Sequence, residues 1–304
     1  MTPLSVVVAT RDRPQFLEEC LSALAAGTDH ADELLVVDSC SKQLGTAEAA
    51  RAHDARLLRH PVPGASRARN AGWRAATNPV VAFVDDDVLV GAGWARALDS
   101  VFEDHPEVSF VTGRLGLRPC DSGAERPVAY FDSTEAFAID REAVDGLGHG
   151  ANLAVRRSAL EAVGGYDESL GPGARWHAGE DLDLIDRLLD AGFTGRYEPA
   201  AGAVHVQWRS KTDLLRLEWH YGLGQGARLA RLHARDSGRF REISRITWRE
   251  QGWATLVRCV RERYEFGALS ALIRMTATAA GQAGSALVKS GSPDDEGRAA
   301  VRQL

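Results

Sequence analysis

Val80-Val81-Ala82-Phe83-Val84-Asp85-Asp86-Asp87-Val88 is the stretch of the 304-residue chain that decides its fold. Its five leading apolar residues predict a short buried strand, and three carboxylates follow where that strand ends. Because adjacent carboxylates repel one another, we expect a cation to neutralise them, and their oxygens suit Mg²⁺ or Mn²⁺. In open α/β sheets, ligands bind beyond the carboxyl ends of the strands, where these aspartates would lie. A solvent-exposed acidic turn is the alternative interpretation.

The residues before this stretch alternate between strand and helix patterns. Predicted strands cover 4–9, 33–38 and 56–60, and predicted helices cover 14–26, 46–53 and 66–76. Pro14 suits the first turn of the first helix, and Gly27 suits its end. Strands and helices that alternate at this short spacing are typical of a parallel sheet with both faces covered. The sequence therefore predicts an α/β fold.

Polar and basic residues follow the predicted strands and suggest one common ligand. Thr10 and Arg11 follow the first strand, Asp38 ends the second, and Arg67 and Arg69 lie near the start of a helix. Backbone N–H groups and arginines at a helix start suit a diphosphate, although a solvated helix face is the alternative interpretation. Neither a G-x-G-x-x-G nor a P-loop pattern follows the first strand, so a dinucleotide or ATP site is unsupported.

Three features of the second half add candidate site residues. The glycine-rich segment at 146–152 indicates backbone that passes close to a ligand. Glu180 and Asp181 begin a predicted helix, where the macrodipole favours ionised carboxylates and a general base could be held, although plain N-terminal capping is the alternative. The apolar residues of this helix recur at helical spacing and would pack on the core: Leu182, Ile185, Leu188 and Leu189. His205 lies on a predicted strand at 203–206, where a lone histidine is more often a packed core residue than a ligand.

Charge is unevenly distributed along the chain. The net charge is −6, yet residues 205–263 contain thirteen Lys or Arg against six Asp or Glu. Tryptophan and leucine interleave with these arginines, which is the composition of a helix at a membrane interface. Ordinary helices that pack on the rest of the chain or on a second subunit are the alternative interpretation. Nucleic acid is not expected as a partner, because the whole chain is acidic and has no recognition motif.

The cysteines and the apolar segments indicate the compartment. The four cysteines lie far apart without a C-x-x-C pair, so neither a zinc site nor a disulfide framework is expected. The N-terminal apolar run is too short for a signal peptide, and no segment approaches the ~20 apolar residues of a membrane-spanning helix. We therefore expect a cytoplasmic protein, with peripheral attachment at the inner face of the membrane as an alternative.

The order of these motifs resembles the family-2 inverting glycosyltransferases with the GT-A fold, over about residues 3–209. The resemblance rests on Thr10-Arg11, on Asp38, on Ser66-Arg67-Ala68-Arg69-Asn70-Ala71-Gly72, on Asp85-Asp86-Asp87, on the glycine-rich loop and on Gly179-Glu180-Asp181, with His205 last. It implies a Rossmann-like, mostly parallel sheet flanked by helices. It also implies a catalytic domain at 1–209. The residues that follow predict a helical C-terminal extension at 210–290 and a polar, disordered tail at 291–304.

The resemblance implies roles for individual residues. Asp181 would be the catalytic base, and Glu180 would orient the acceptor. The nucleotide-sugar donor would contact Ala9, Thr10, Arg11, Asp38, Arg67, Arg69, Asn70, Asp85, Asp86, Gly150 and Asn152. A Mn²⁺ or Mg²⁺ ion would be bound by Asp87, Asp85 and His205. The resemblance favours a UDP-sugar. Ser39 and Cys40 follow Asp38 where many relatives have a second acid, so dTDP and GDP stay open.

The expected function is metal-dependent, inverting transfer of a sugar from a nucleoside-diphosphate sugar to an acceptor hydroxyl. The acceptor would be a glycan, a lipid-linked molecule or a small molecule, and a homo-oligomer is a further expectation. A sugar nucleotidyltransferase is one alternative, but it should have a glycine-rich loop where this chain has Ala9-Thr10-Arg11-Asp12-Arg13. A non-catalytic nucleotide-sugar-binding protein is the other, and it would not need both the aspartates and the Glu180-Asp181 pair.

Overall fold

The computed structural model describes residues 2–27, 33–119, 131–143 and 147–288. The tail at 291–304, about which the sequence made a prediction, lies outside the described residues. Contacts divide the chain into two compact units. The first comprises 1–175 and 180–214, and the second comprises 176–179 and 215–304.

A mixed sheet forms the centre of the first unit. Within the described residues its strands are β1 (Leu4–Thr10), β2 (Glu33–Ser39), β3 (Arg56–His60), β4 (Val80–Asp85), β5 (Val88–Val90), β6 (Val108–Pro119), β7 (Phe137–Ile139), β8 (Asn152–Arg156) and β9 (Thr194–Gln207). Their spatial order is β3-β2-β1-β4-β8-β6-β9-β5, with β7 paired to β9. The first four strands in chain order are parallel, as the sequence predicts. β8 is antiparallel to both β4 and β6, so the sheet as a whole is mixed.

Helices cover both faces of this sheet. They are α1 (Pro14–Gly27), α2 (Thr46–Ala52), α3 (Ala65–Ala75), α4 (Trp94–Asp104), α5 (Arg157–Val163) and α6 (Glu180–Asp190). On β1, Val6 and Val8 join the core beneath α1 and α4, whereas Val7 joins the core beneath α3 and α6. Side chains alternate between the faces of a strand, so a continuous run of valines supplies both cores. The predicted α/β class is confirmed.

The register of the parallel strands aligns their carboxyl ends. Thr10 of β1 pairs with Asp38 of β2, and Ala9 pairs with Asp85 of β4. Gly72 of α3 allows this helix to pack closely on the sheet, because a Cβ there would overlap the side chain of Val7. The strand ends that carry the predicted site residues therefore lie side by side.

The described residues of the polar stretch at 118–145 contain regular structure. β6 extends to Pro119, Phe131 forms a bridge with Leu115, and β7 pairs with β9. β9 is one strand that begins at Thr194 and runs through Pro199, whereas the sequence predicts only the short strand at 203–206. Its later part pairs with the short strand β5, and this pairing aligns His205 with Val88, the residue after the acidic turn.

The second unit is helical. It contains most of α7 (Lys211–Arg235), then α8 (Ser237–Arg245), a π-helical segment (Ile246–Ala254), α9 (Thr255–Arg261) and α10 (Glu265–Val288). Glycines of α7 permit close packing, since a Cβ at Gly226 would overlap the backbone of α10 at Thr278. Within the described residues, no helix is both long enough and apolar enough to cross a membrane.

Candidate active site

The acidic turn after β4 is buried. Asp86 is 1% exposed and Asp87 is 3% exposed, so this is not a solvent-exposed acidic turn. Thr10 Oγ1 donates to Asp86 Oδ2 over 2.7 Å. Arg13 bridges the two aspartates, with Nη2 2.7 Å from Asp86 Oδ1 and Nη1 donating to Asp87 Oδ2 over 3.0 Å. The guanidinium of Arg13 therefore balances part of the charge of both carboxylates.

Asp87 is surrounded by donors from the end of β9. Trp208 Nε1 donates to Asp87 Oδ2 over 2.8 Å, and Arg209 Nη2 lies 3.7 Å from the same oxygen. His205 Nε2 lies 3.3 Å from Asp87 Oδ1. Burial alone would raise the pKa of Asp87, but the hydrogen bond and charge of His205, with Arg13 and Arg209, hold it well below its ordinary value. Asp87 is therefore ionised at neutral pH.

The pKa of Asp86 is shifted upward, opposite to that of Asp87. Burial raises the pKa of Asp86 to about 7, against the opposing charge of Arg13 and with a further upward contribution from Asp87. Two carboxylates so close together share the cost of ionisation unequally, because only Asp87 is surrounded by several cationic or N–H donors.

Arg69 joins the strand end to the start of α6. Its Nη2 donates to Asp85 Oδ1 over 2.6 Å, and its Nη1 donates to Glu180 Oε1 over 3.0 Å. The same Nη1 lies 3.5 Å from Asp181 Oδ1. Although burial opposes it, the charge of Asp85, followed by that of Asp181, raises the pKa of Arg69 well above its ordinary value. One buried arginine thus gathers three of the predicted site carboxylates around a permanent positive charge.

The side chain of Asp181 is largely buried, with a quarter of it exposed. Burial, and then the charge of Glu180, raise the pKa of Asp181 to about 8. The sequence argument from the helix macrodipole predicted an ionised carboxylate, and here burial and like charge outweigh that effect. The loop residue Gly150 packs against the carboxylate, since a Cβ on Gly150 would overlap Asp181.

The loops after β1 and β2 are joined by hydrogen bonds near Asp38. Asp38 Oδ1 accepts from the backbone of Ser41 over 2.7 Å, and Asp12 Oδ1 accepts from Lys42 and Gln43 over 2.6 and 2.9 Å. The side chain of Arg11 is 42% exposed, and its Nε lies 3.6 Å from the carboxylate of Asp12. Ala9, Thr10, Asp38 and Asp85 thus lie along one edge of the sheet.

Two residues of the predicted phosphate-binding segment of α3, Arg67 and Asn70, form hydrogen bonds within the protein. Arg67 Nη1 donates to Glu168 over 2.9 Å, and the amide of Asn70 donates to Tyr166 O over 2.9 Å and accepts from Tyr166 N over 2.9 Å. These bonds hold the loop at 166–170 against the helix. Arg67 and Asn70 therefore support the site wall in this structure, and their contact with a donor stays a prediction.

Asn152 lies beneath the site. It is 1% exposed, and its side chain accepts from Trp94 Nε1 over 2.8 Å and donates to the backbone of Ala201 over 2.8 Å and of Arg114 over 3.1 Å. These bonds connect Asn152 of β8 to α4, β6 and β9. The contact of Asn152 with a donor stays a prediction. Gly150, two residues earlier, does reach the carboxylate of Asp181.

The donor set around Asp87 fits a divalent ion in part. Among the residues that the structure describes, no three His, Cys, Asp or Glu side chains form a group that could hold a metal ion. Asp87 Oδ1 and His205 Nε2 are 3.3 Å apart, close to the ~3 Å between neighbouring ligands of an octahedral Mg²⁺ site. Such ions take their remaining ligands from water and substrate phosphates. Asp85, the third predicted ligand, is paired with Arg69.

Three residues of the site escaped the sequence analysis: Arg13, Trp208 and Arg209. Arg13 directly precedes α1, and the adjacency of β1 and β4 could have placed it beside the aspartates. Trp208 and Arg209 follow His205 at the end of β9. The two arginines lie against the indole of Trp208, with Cζ 5.5 and 4.4 Å from its ring centroid. Such contacts hold guanidinium groups in place.

Two proteins named as glycosyltransferases are similar in sequence to this chain. Pre-mycofactocin glycosyltransferase of Mycobacterium tuberculosis (strain CDC 1551 / Oshkosh) is 31% identical over 240 residues, which cover 76% of this chain and 48% of that protein. The chain thus spans about half the length of this relative. Glycosyltransferase AglE of Haloferax volcanii is 26% identical over 232 residues, covering 73% of this chain and 72% of AglE.

Solved structures support the fold. Mannosyltransferase PcManGT from Pyrobaculum calidifontis, in complex with GDP-Man and Mn²⁺, superposes with a TM-score of 0.60 at 20% identity. The likeness covers 99% of this chain and 81% of that one. S. aureus TarS 1-349 in complex with UDP-GlcNAc gives a TM-score of 0.54 at 16% identity, over 73% and 66% of the two chains. The GT-A fold inferred from the sequence is confirmed.

The sequence model named Glycosyl transferase family 2 matches residues 5–164, more than half of the chain. This range contains the strand ends, Arg69 and the acidic turn. Together with the mycobacterial relative, the match shows that the chain belongs to glycosyl transferase family 2.

Proposed function

We propose that this protein transfers a sugar from a nucleoside-diphosphate sugar to an acceptor hydroxyl with inversion at the anomeric carbon, and that Asp181 is the general base. The observation that carries the proposal is the cluster around Arg69, which joins Asp85 at the end of β4 to Glu180 and Asp181 at the start of α6. Donor-binding and proton-accepting groups thereby share one small region.

The environment of Asp181 supports its role as base. A base is most effective when its pKa lies near the working pH, and burial with the charge of Glu180 raises the pKa of Asp181 to about 8. Its quarter-exposed side chain leaves one side open to an acceptor hydroxyl. Arg69 stabilises the deprotonated form from the buried side, while Glu180, which pairs with Arg69, would orient the acceptor.

Inversion follows from a single displacement. One carboxylate removes the acceptor proton while the hydroxyl attacks the anomeric carbon from the face opposite the leaving diphosphate. A retaining route would need a nucleophile or a same-face path, for which we nominate no residue. The proton transfer itself typically contributes ~10²–10⁴-fold to the rate.

The donor would lie along the edge formed by Ala9, Thr10, Asp38 and Asp85, with Asp38 directed at the nucleobase. Asp87 and His205 would hold a Mn²⁺ or Mg²⁺ ion. When bound, that ion supplies electrostatic stabilisation of the departing diphosphate. UDP is the favoured nucleoside diphosphate, and Arg11, exposed at this edge, is available to its phosphates.

We propose that residues 1–209 form the catalytic domain and that 210–290 form its helical extension. The helical unit carries an exposed apolar and basic surface. Trp253 and Val260 are each 61% exposed. A surface cavity of about 490 Å³ is lined by apolar residues, two arginines and one glutamate: Trp253, Ala254, Val257, Arg258, Arg261 and Glu262. Apolar side chains bordered by arginines complement an anionic phospholipid surface, so we propose peripheral membrane contact there and a lipid-linked acceptor.

The direct test is nucleotide binding followed by turnover. UDP, GDP and dTDP would be compared by thermal shift with and without Mn²⁺, because the nucleotide that binds the native state raises its unfolding temperature. The matching nucleotide sugars would then be assayed for released nucleoside diphosphate. We expect stabilisation by UDP that depends on Mn²⁺. If none of the three nucleotides binds under either condition, the donor assignment is wrong.

A further inference from the structure

We propose that Arg13 is a resident counter-cation of the Asp86–Asp87 pair, which a divalent ion must displace, and that this exchange couples metal binding to donor binding. The inference rests on the proposed function, since it assumes a metal and a nucleoside diphosphate at this site. It assigns a role to a residue for which the sequence motifs gave none.

The first step is the geometry of the ion pairs. Arg13 bridges both carboxylates, with Nη2 2.7 Å from Asp86 Oδ1 and Nη1 3.0 Å from Asp87 Oδ2. The two aspartates are almost fully buried, whereas the side chain of Arg13 is 31% exposed. The guanidinium is therefore the solvent-accessible partner in both ion pairs.

The second step is competition for one carboxylate. Asp87 Oδ2 already contacts Arg13, Trp208 and Arg209, and Asp87 Oδ1 faces His205. A dication on either oxygen would lie within a few ångströms of the guanidinium, where like charges repel strongly. Metal binding to the free protein therefore has to break hydrogen bonds between charged groups, which weakens it.

The third step is what Arg13 contacts after displacement. The ring of Trp208 lies 5.5 Å from Arg13 Cζ and can hold the guanidinium near the site. A diphosphate offers a guanidinium the same bidentate geometry that the carboxylates offer. A bound nucleoside diphosphate would thus compensate Arg13 for the loss of Asp87, so metal and nucleotide should bind cooperatively, each raising the affinity of the other equally.

The experiment measures Mn²⁺ affinity directly, by calorimetry or electron paramagnetic resonance, with and without UDP. Arg13→Gln should bind Mn²⁺ alone about tenfold more tightly than wild type, because a charge-assisted pair no longer competes. The gain in Mn²⁺ affinity on adding UDP should be correspondingly smaller. Arg56→Gln is the matched control, because it removes the same charge from an exposed arginine that pairs with Glu33 and should leave Mn²⁺ affinity unchanged.

A second variant keeps the test decisive if Arg13→Gln does not fold. Arg13→Lys retains the charge but not the bridging fork, so its Mn²⁺ affinity should lie between those of wild type and Arg13→Gln. If the variants bind Mn²⁺ no more tightly than wild type, while UDP still raises Mn²⁺ affinity, the role of Arg13 is refuted and the metal site stands. If no protein binds Mn²⁺ even with UDP, the proposed metal dependence is refuted, and the role of Arg13 with it.

Discussion

Asp86 and Asp87 are neighbours in sequence, yet their pKa values move in opposite directions because their contacts differ. The carboxylate of Asp87 contacts N–H groups of four side chains, which favour its ionised form: His205, Trp208, Arg13 and Arg209. Asp86 accepts a hydrogen bond from Thr10 and pairs with Nη2 of Arg13, and burial raises its pKa to about 7. The residue that is ionised and has a histidine beside it is therefore the better metal ligand of the two.

The first prediction at this scale concerns the base. Asp181→Asn should lower kcat by ~10²–10⁴, because an amide cannot accept the acceptor proton, while the affinity for the nucleoside diphosphate changes only a few-fold. Glu180→Gln should be damaging but less so, since it weakens the pair with Arg69 without removing the base. Single-turnover rates and calorimetric affinities would be measured for both. Near-wild-type turnover by Asp181→Asn would show that the base lies elsewhere.

The second prediction is a pH dependence. Because the pKa of Asp181 is raised to about 8, kcat/KM should rise with pH through the neutral range instead of near pH 4. The same shift has a stability consequence. A carboxyl with a raised folded-state pKa stabilises the fold below its unfolded-state pKa, and this contribution is lost as pH rises towards 8.

Asp181→Asn should therefore raise the unfolding temperature relative to wild type at pH 8 and have little effect at pH 4. Both quantities are measured on the same two proteins across one pH series. A kcat/KM profile that is flat between pH 6 and 9, with no gain in stability at pH 8, would contradict the raised pKa.

The third prediction concerns Gly150. Gly150→Ala would place a methyl group against the carboxylate of Asp181 and displace it. Misplacement of a catalytic group by ~1 Å can cost ~10²-fold, so kcat should fall strongly while nucleotide affinity is kept. Gly116→Ala is the control, because the nearest atom to its Cβ would be 3.7 Å away. If the two variants have equal kcat, Gly150 does not position the base.

At the scale of elements, the sequence predicted the parallel half of the sheet and not the antiparallel half. The valine runs of β1, β2 and β4 alternate with helices at short spacing, so their order and direction follow from local patterns. β8 lies between β4 and β6 because of pairings between residues some forty positions or more apart, which no local pattern encodes. β7 has only three residues, too few for a periodic signal.

The site residues likewise separate into those that local patterns predict and those that depend on distant contacts. The strand-end aspartates and the start of α6 were predicted from their position in local elements. The contacts of Arg13 and Asn152 could not be predicted, because they involve distant groups: Asp87 for Arg13, and Trp94 and Ala201 for Asn152. The pKa of Asp181 likewise depends on burial by tertiary packing, which the position in the helix does not reveal.

The fourth prediction concerns the segment Trp176–Gly179, which belongs to the helical unit although it directly precedes α6. His177 stacks on His220 of α7 with ring centroids 4.4 Å apart, and a Cβ at Gly224 of α7 would overlap the backbone of Ala178. Gly224→Ala should therefore strain this segment and, through the chain, displace Glu180 and Asp181.

Its matched control is Gly222→Ala, which would meet Ala277 and Arg274 of α10 instead. Overpacking should destabilise both variants by ~1–3 kcal/mol. Only Gly224→Ala should lower kcat beyond what its folded fraction explains, measured at a temperature where both proteins are folded. Equal kcat values for the two variants would show that the helical unit does not influence the base.

In the molecule as a whole, the excess of basic residues and the candidate active site lie largely in different parts of the chain. The net charge is −6, while the region at 205–263 is basic. The candidate site in the first unit uses its arginines in buried ion pairs, as Arg69 does. In the helical unit, Arg258 and Arg261 are exposed beside the exposed Trp253. Buried arginines organise carboxylates, whereas exposed ones are available to an external anionic surface.

The fifth prediction follows from that difference and is tested by vesicle flotation. The intact protein should float with vesicles in proportion to their anionic lipid content, and added salt should weaken the binding because it screens exposed charges. Each basic residue near an anionic surface contributes ~1 kcal/mol, so Arg258→Gln should weaken binding about fivefold. Trp253→Ala should weaken it at every lipid composition, whereas Leu44→Ala, at the 93% exposed Leu44 of the first unit, should not. If the intact protein fails to float at low salt, or if Trp253→Ala floats as well as wild type, this surface does not bind lipid and the acceptor need not be lipid-linked.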